Sequence, residues 1–111
     1  MTSQMTIPCV TTDDLGELLA RDAAATVIDV RERVEWVAGH VPSAVHLPMS
    51  ELVQRHEELR ARRAPLYLIC QSGSRSARCA EYLATAGHDV VNVLGGTGAW
   101  VRSGRALDFG G

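Results

Sequence analysis

Apolar positions along this chain follow two alternating rhythms. Short, nearly continuous apolar runs at residues 7–10, 25–30, 44–47, 66–69 and 89–94 read as strands, those at 25–30 and 66–69 as buried ones. Helix-period segments lie between them. Thr11 and Asp14 stand in capping-box spacing ahead of Leu15, Leu18 and Leu19, which share one helical face. Residues 32–38 predict a short helix ended by Gly39. Ser50 is placed to cap a helix with Leu52, Val53 and Leu59 on its apolar face. Residues 76–86 predict an alanine-rich helix that stops at Gly87. A last short helix follows Gly95-Gly96 and ends near Gly104.

Strands separated by helices require crossover connections, which are right-handed and give a mainly parallel sheet. The expectation is therefore an α/β fold: one central sheet of about five strands with helices on both faces. One domain spans residues 1–111, with a core at about 7–104 and flexible termini, the Gly110-Gly111 end frayed. Ligands of such sheets sit at the carboxyl ends of the strands.

Composition narrows the partners. The formal charge of −2 and the lack of a basic tail argue against nucleic acid. No apolar run is long enough to span a membrane. The opening residues Met1 to Thr6 show neither a basic start nor an apolar stretch, so no secretion signal is expected. Three scattered cysteines do not make a disulfide framework and fit a reducing cytoplasm. All eleven basic residues are arginine, which carries little functional information.

The candidate chemistry centres on Cys70, at the end of the predicted 66–69 strand. It opens the run Cys70-Gln71-Ser72-Gly73-Ser74-Arg75-Ser76, which leads into a helix. Amides of such a loop converge on one point, and the helix N-terminus adds partial positive charge there. Both favour thiolate, the nucleophilic form of cysteine. Arg75 and Arg78 add formal charge nearby. The pattern predicts a cysteine nucleophile that holds an anion.

Four motifs, in order over nearly the whole chain, resemble the single-domain rhodaneses, a family of sulfurtransferases. They are Val27-Ile28-Asp29-Val30-Arg31-Glu32, then Gly39-His40-Val41-Pro42-Ser43-Ala44-Val45-His46-Leu47-Pro48, the cysteine loop itself, and Leu94-Gly95-Gly96-x-x-Ala99-Trp100. Two positions depart from the family pattern: Ser43 replaces a usual glycine, and Gln71 stands where many members have arginine. The resemblance implies a double displacement. Cys70 takes sulfane sulfur from an anionic donor such as thiosulfate as a persulfide, then passes it to cyanide or a thiol. No metal or organic cofactor is implied. Gln71, Ser72, Gly73, Ser74, Arg75 and Ser76 form the substrate loop, with Gly73 relieving the backbone, Arg75 bracing the loop and attracting anions, and Ser74 or Ser76 capping the helix. Asp29 and Arg31 are supporting residues, expected as an ion pair or loop anchor. Four residues separate Cys70 from Arg75. The related cysteine phosphatases use five around a tetrahedral phosphate, so the shorter loop suits a single sulfur. An alternative of another class is a sulfur carrier that relays persulfide between protein partners. A third reading is a redox or sulfide sensor that uses Cys70 with Cys79.

The remaining residues have plainer readings. Cys79 and Cys9 are expected to be structural. His40, His46, His56 and His88 lack ligand-like spacing with the cysteines, and His40 and His46 should make local hydrogen bonds. Glu32 and Glu35 read as a solvated helix face. Trp36 and Trp100 belong to the core or its rim. Arg55, Arg60, Arg62 and Arg63, interleaved with Glu57 and Glu58, read as a charged helix surface rather than an anion site.

Overall fold

The computed structural model describes residues 6–111. Each apolar run contributes a strand: β1 (Cys9–Val10), β2 (Thr26–Asp29), β3 (Val45–His46), β4 (Leu66–Ile69) and β5 (Val90–Val93). They form one sheet in the order β1-β5-β4-β2-β3, and every pairing is parallel. The helices are α1 (Thr12–Arg21), α2 (Arg33–Ala38), α3 (Leu52–Arg55), α4 (Ser74–Thr85) and α5 (Gly96–Arg102).

Strand alternation builds two cores, because successive side chains point to opposite faces. Ile28 and Leu68 face one way and pack with Leu52, Leu59, Ala80 and Leu83 under α3 and α4. Val27 and Ile69 face the other way and pack with Leu15 and Trp100 under α1 and α5. The α1 capping box forms as its spacing predicts: Asp14 N donates to Thr11 Oγ1 (3.1 Å) and Thr11 N to Asp14 Oδ2 (3.0 Å).

Several details differ from expectation. The predicted helix after Ser50 is one α-turn between two 3-10 segments, Met49–Glu51 and His56–Ala61. Ser50 does not cap it; its hydroxyl donates to Glu32 Oε1 at 2.8 Å, and Val53 is 64% exposed. A stretch this rich in Glu and Arg pairs along its own surface, so Val53 has no core to meet. Cys9, expected to be structural, is exposed on the edge strand. The chain after Gly104, expected to lie outside the core, returns to α2. His40 and Asp108 exchange backbone hydrogen bonds (2.9 and 2.9 Å) and Gly110 N donates to Val37 O (3.0 Å). This satisfies backbone groups of Val37 and His40 that no strand reaches. The expectation for the N-terminal end falls on residues 1–5, outside the described residues.

Ser43 stands in the left-handed region (φ 64°) and donates its hydroxyl to Pro42 O at 2.6 Å. The glycine usual at this place would enter that region without a Cβ penalty. Among the described residues, no helix is long and apolar enough to cross a membrane.

Candidate active site

Cys70 follows the last residue of β4, and α4 begins four residues later. The turn between them is tight because Gly73 takes φ 105°, closed to most residues with a Cβ. Gly73 is therefore the N-cap of α4, with no side-chain cap, and neither Ser74 nor Ser76 plays the capping role expected of them. Ser76 instead turns inward. Its hydroxyl lies 3.3 Å from Cys70 Sγ, 2.6 Å from Asn92 Oδ1 and 3.2 Å from Gly73 O. Gly73 N donates to Cys70 Sγ at 3.0 Å.

Burial alone would push the Cys70 thiol up. The Ser76 hydroxyl and the amides of Ser76, Gly73 and Ser72 outweigh it and bring the thiol below its ordinary range. Cys70 itself has no exposed surface, while Gln71, Ser72 and Ser74 form the outer wall of the loop.

The loop is fixed from two sides. From β5 and α5, Asn92 Nδ2 donates to Gly73 O (3.2 Å), Thr97 N to Cys70 O (2.8 Å) and Gly98 N to Gln71 O (3.0 Å). The contact demands glycine at 96, where a Cβ would stand 2.4 Å from Cys70 O. From β2 and α2 come two ion pairs. Arg31 is clamped on Asp29, both fully or nearly fully buried, and also donates to Gly39 O (2.7 Å) and Gln71 Oε1 (3.3 Å). Gln71, the departure next to the cysteine, is thus the group through which Arg31 reaches the loop. Arg75 is held by Glu35 through two hydrogen bonds, both 2.8 Å. Glu35 is therefore no solvated helix residue; Arg75 draws its carboxyl below the usual range against a smaller cost of burial.

Sequence reasoning missed Glu35 and Asn92 as parts of this site. Glu35 lies one helical turn past the N-cap Glu32, on the face toward the loop, a position sequence alone does not distinguish from a solvated one. Asn92, a lone polar residue in the Val-rich β5 run, was the available signal: it is 3% exposed and paired on both amide atoms.

Beside the loop runs an open groove of about 290 Å³, lined by Arg31, Glu35, Gln71, Thr97, Val101 and Leu107 among others. Two other clefts, about 190 and 250 Å³, open near the starts of β2 and of β4 and β5, remote from Cys70.

The plainer readings hold elsewhere. Cys79 is a buried core thiol that burial pushes up to about 11. His40 Nδ1 donates to Trp36 O (2.8 Å) and His46 Nε2 to Arg31 O (2.7 Å). Both rings stack on buried Trp36, at centroid distances of 3.4 and 4.8 Å. Arg55 pairs with Glu51 and Glu58, Arg60 with Glu57, and Arg63 with Asp22.

Fold and loop together define an α/β domain that presents a cysteine cradled by amides at the carboxyl end of a parallel sheet. A family model of the rhodanese-like domain matches residues 11–103, and the chain belongs to that family. It is 38% identical over 96 residues to the protein named "Putative sulfurtransferase YtwF" of Bacillus subtilis, covering 86% of this chain and 92% of the relative. "Putative sulfur carrier protein YrkF" of the same organism is 33% identical over 95 residues, covering 85% of this chain and 51% of that longer protein. The crystal structure of a rhodanese-related protein from Thermoplasma volcanium superposes with a TM-score of 0.81 at 32% identity, covering 91% of this chain and 97% of that one. The family is one of sulfurtransferases and sulfur carriers.

Proposed function

We propose that this protein is a sulfurtransferase that works by double displacement through a persulfide on Cys70. The observation that carries the reading is the hydrogen bonding of Cys70 Sγ by the Gly73 amide and the Ser76 hydroxyl, which favours the thiolate. In the first half-reaction the Cys70 thiolate attacks the outer sulfur of a donor such as thiosulfate. The donor's S–S bond breaks and sulfite leaves with the electron pair. In the second, a thiolate or cyanide attacks the outer sulfur of the persulfide. The bond to Cys70 breaks and the thiolate is restored. The inward-facing amides of the loop stabilise charge on either sulfur, as an oxyanion hole does. Because Cys70 has no exposed surface, the donor reaches it as the exposed Ser72 and Ser74 move aside, while Gln71 stays held by Arg31 and by Gly98 N. Asp29 and Arg31 act as supports, holding the loop through Gln71. Three unpaired thiols suit a reducing, cytoplasmic setting.

The test is intact mass after incubation of the reduced protein with thiosulfate. The expected gain is one sulfur, about 32 Da, consistent with a covalent intermediate, absent in Cys70→Ser and discharged by cyanide. A gain that survives in Cys70→Ser would overturn the reading. A second reading, a carrier loaded by a protein persulfide, is favoured by the sealed position of Cys70 and by the sulfur-carrier relative. No gain from thiosulfate, with a gain from a protein persulfide, would select it.

A further inference from the structure

The charges around Cys70 cancel in pairs. The loop from Cys70 to Ser76 carries one cation, Arg75, and both its terminal nitrogens are taken by Glu35 at 2.8 Å. The other nearby cation, Arg31, is clamped on Asp29. Arg78, one turn further along α4, is exposed. Within the site the unbalanced charge is then the Cys70 thiolate itself, opposed by the dipoles of loop amides. A dianion such as thiosulfate meets that thiolate with the loop's own cation already neutralised. The remaining cations beside the loop, Arg78 and Arg102, are solvent-exposed and screened, Arg102 Nη1 lying across Gly98 from Gln71. A donor of low charge, such as an alkyl persulfide, does not face this cost.

We infer that Glu35 is a specificity-determining residue, which slows highly charged sulfur donors such as thiosulfate relative to donors of low charge by neutralising Arg75. The inference rests on the reading of Cys70 as the sulfur-accepting thiol. Its position supports the role: Glu35 is about one third exposed and lines the groove beside the loop, so its charge is felt where a donor approaches.

The test compares alkylation of Cys70 by neutral iodoacetamide and by anionic iodoacetate at low ionic strength. A Cys9→Ser background removes the exposed thiol, and peptide mass locates the adduct. The ratio of the two rates cancels thiolate fraction and loop access and leaves the charge effect. Glu35→Gln should raise the iodoacetate-to-iodoacetamide ratio about three- to tenfold, as expected for one partly screened charge nearby. Arg75→Gln should lower it by a similar factor, and the double variant should return it near the starting value. Glu81→Gln, the same charge change farther along α4, should leave it unmoved.

If both single variants fold, by their circular dichroism, and the ratio stays constant, Glu35 is only a brace and the inference fails. It fails also if neither reagent reaches Cys70. Should Glu35→Gln not fold, the Arg75→Gln arm decides alone. Alkylation needs no sulfur donor, which separates the two ideas. Persulfide formation with an unmoved ratio sinks the charge inference alone. A shifted ratio in a protein that takes no sulfur from any donor sinks sulfur transfer alone.

Discussion

Ser76 has one proton and three oxygen or sulfur neighbours, and this sets how Cys70 ionises. With a neutral thiol, the Ser76 hydroxyl donates to Asn92 Oδ1, its shortest contact at 2.6 Å. With a thiolate, the sulfur at 3.3 Å competes for the same proton. Asn92 thus keeps the hydroxyl inside the loop whichever form is present. Replacing Ser76 with alanine removes the largest lowering influence on Cys70 after burial has raised it. The Cys70 pKa should rise, and the pH profile of iodoacetamide reaction should move to higher pH. Turnover at neutral pH should fall about tenfold or more, by analogy with loss of one preorganised donor. An unshifted alkylation profile would show that the loop amides alone hold the thiolate.

The elements differ in how far they were legible. The central strands and the α1 cap follow from local pattern, since a buried run of branched residues and a Thr-x-x-Asp spacing have few alternative readings. Local pattern places the start of α4 two residues late because its cap is a glycine with left-handed backbone rather than a serine side chain. The place of Cys70 at a strand end was legible too, as was the Asp29–Arg31 pair. The Glu35–Arg75 and Ser76–Asn92 contacts were not, because they join residues 40 and 16 positions apart whose partners are fixed by packing. The docking of α5 on the loop shows how much one element depends on another. Gly96 stands at φ 60°, and a Cβ there would press on Cys70 O at 2.4 Å and Gln71 C at 2.7 Å, both backbone atoms with little room to yield. Gly96→Ala should cost about 2–4 kcal/mol, from steric overlap and strained backbone together, and urea unfolding reads it directly. A loss below about 1 kcal/mol, the strain part alone, would mean that α5 slides away without cost.

Across the whole molecule, the side away from Cys70 is joined by two histidines. His56 Nδ1 and His88 Nε2 lie 3.1 Å apart, linking the 3-10 turn His56–Ala61 to the turn between α4 and β5. Burial first, and then the charges of Arg60 and His56, lower the His88 pKa below 6.5. The unfolded chain therefore takes up this proton before the folded one. The contribution to stability is complete above about pH 6.5 and is lost as pH falls through the lower, folded value. The urea midpoint should drop between about pH 7.5 and pH 5.5, and His88→Gln should narrow that drop. An equal drop in the variant would assign the acid sensitivity to other groups.

The sheet's outer strands have a consequence of their own. β1 and β3 are each two residues long, with Pro8 just before one and Pro48 two residues beyond the other. Neither presents a ladder long enough for a foreign strand to extend. At high concentration the native domain should resist edge-to-edge templating and the fibrils it seeds.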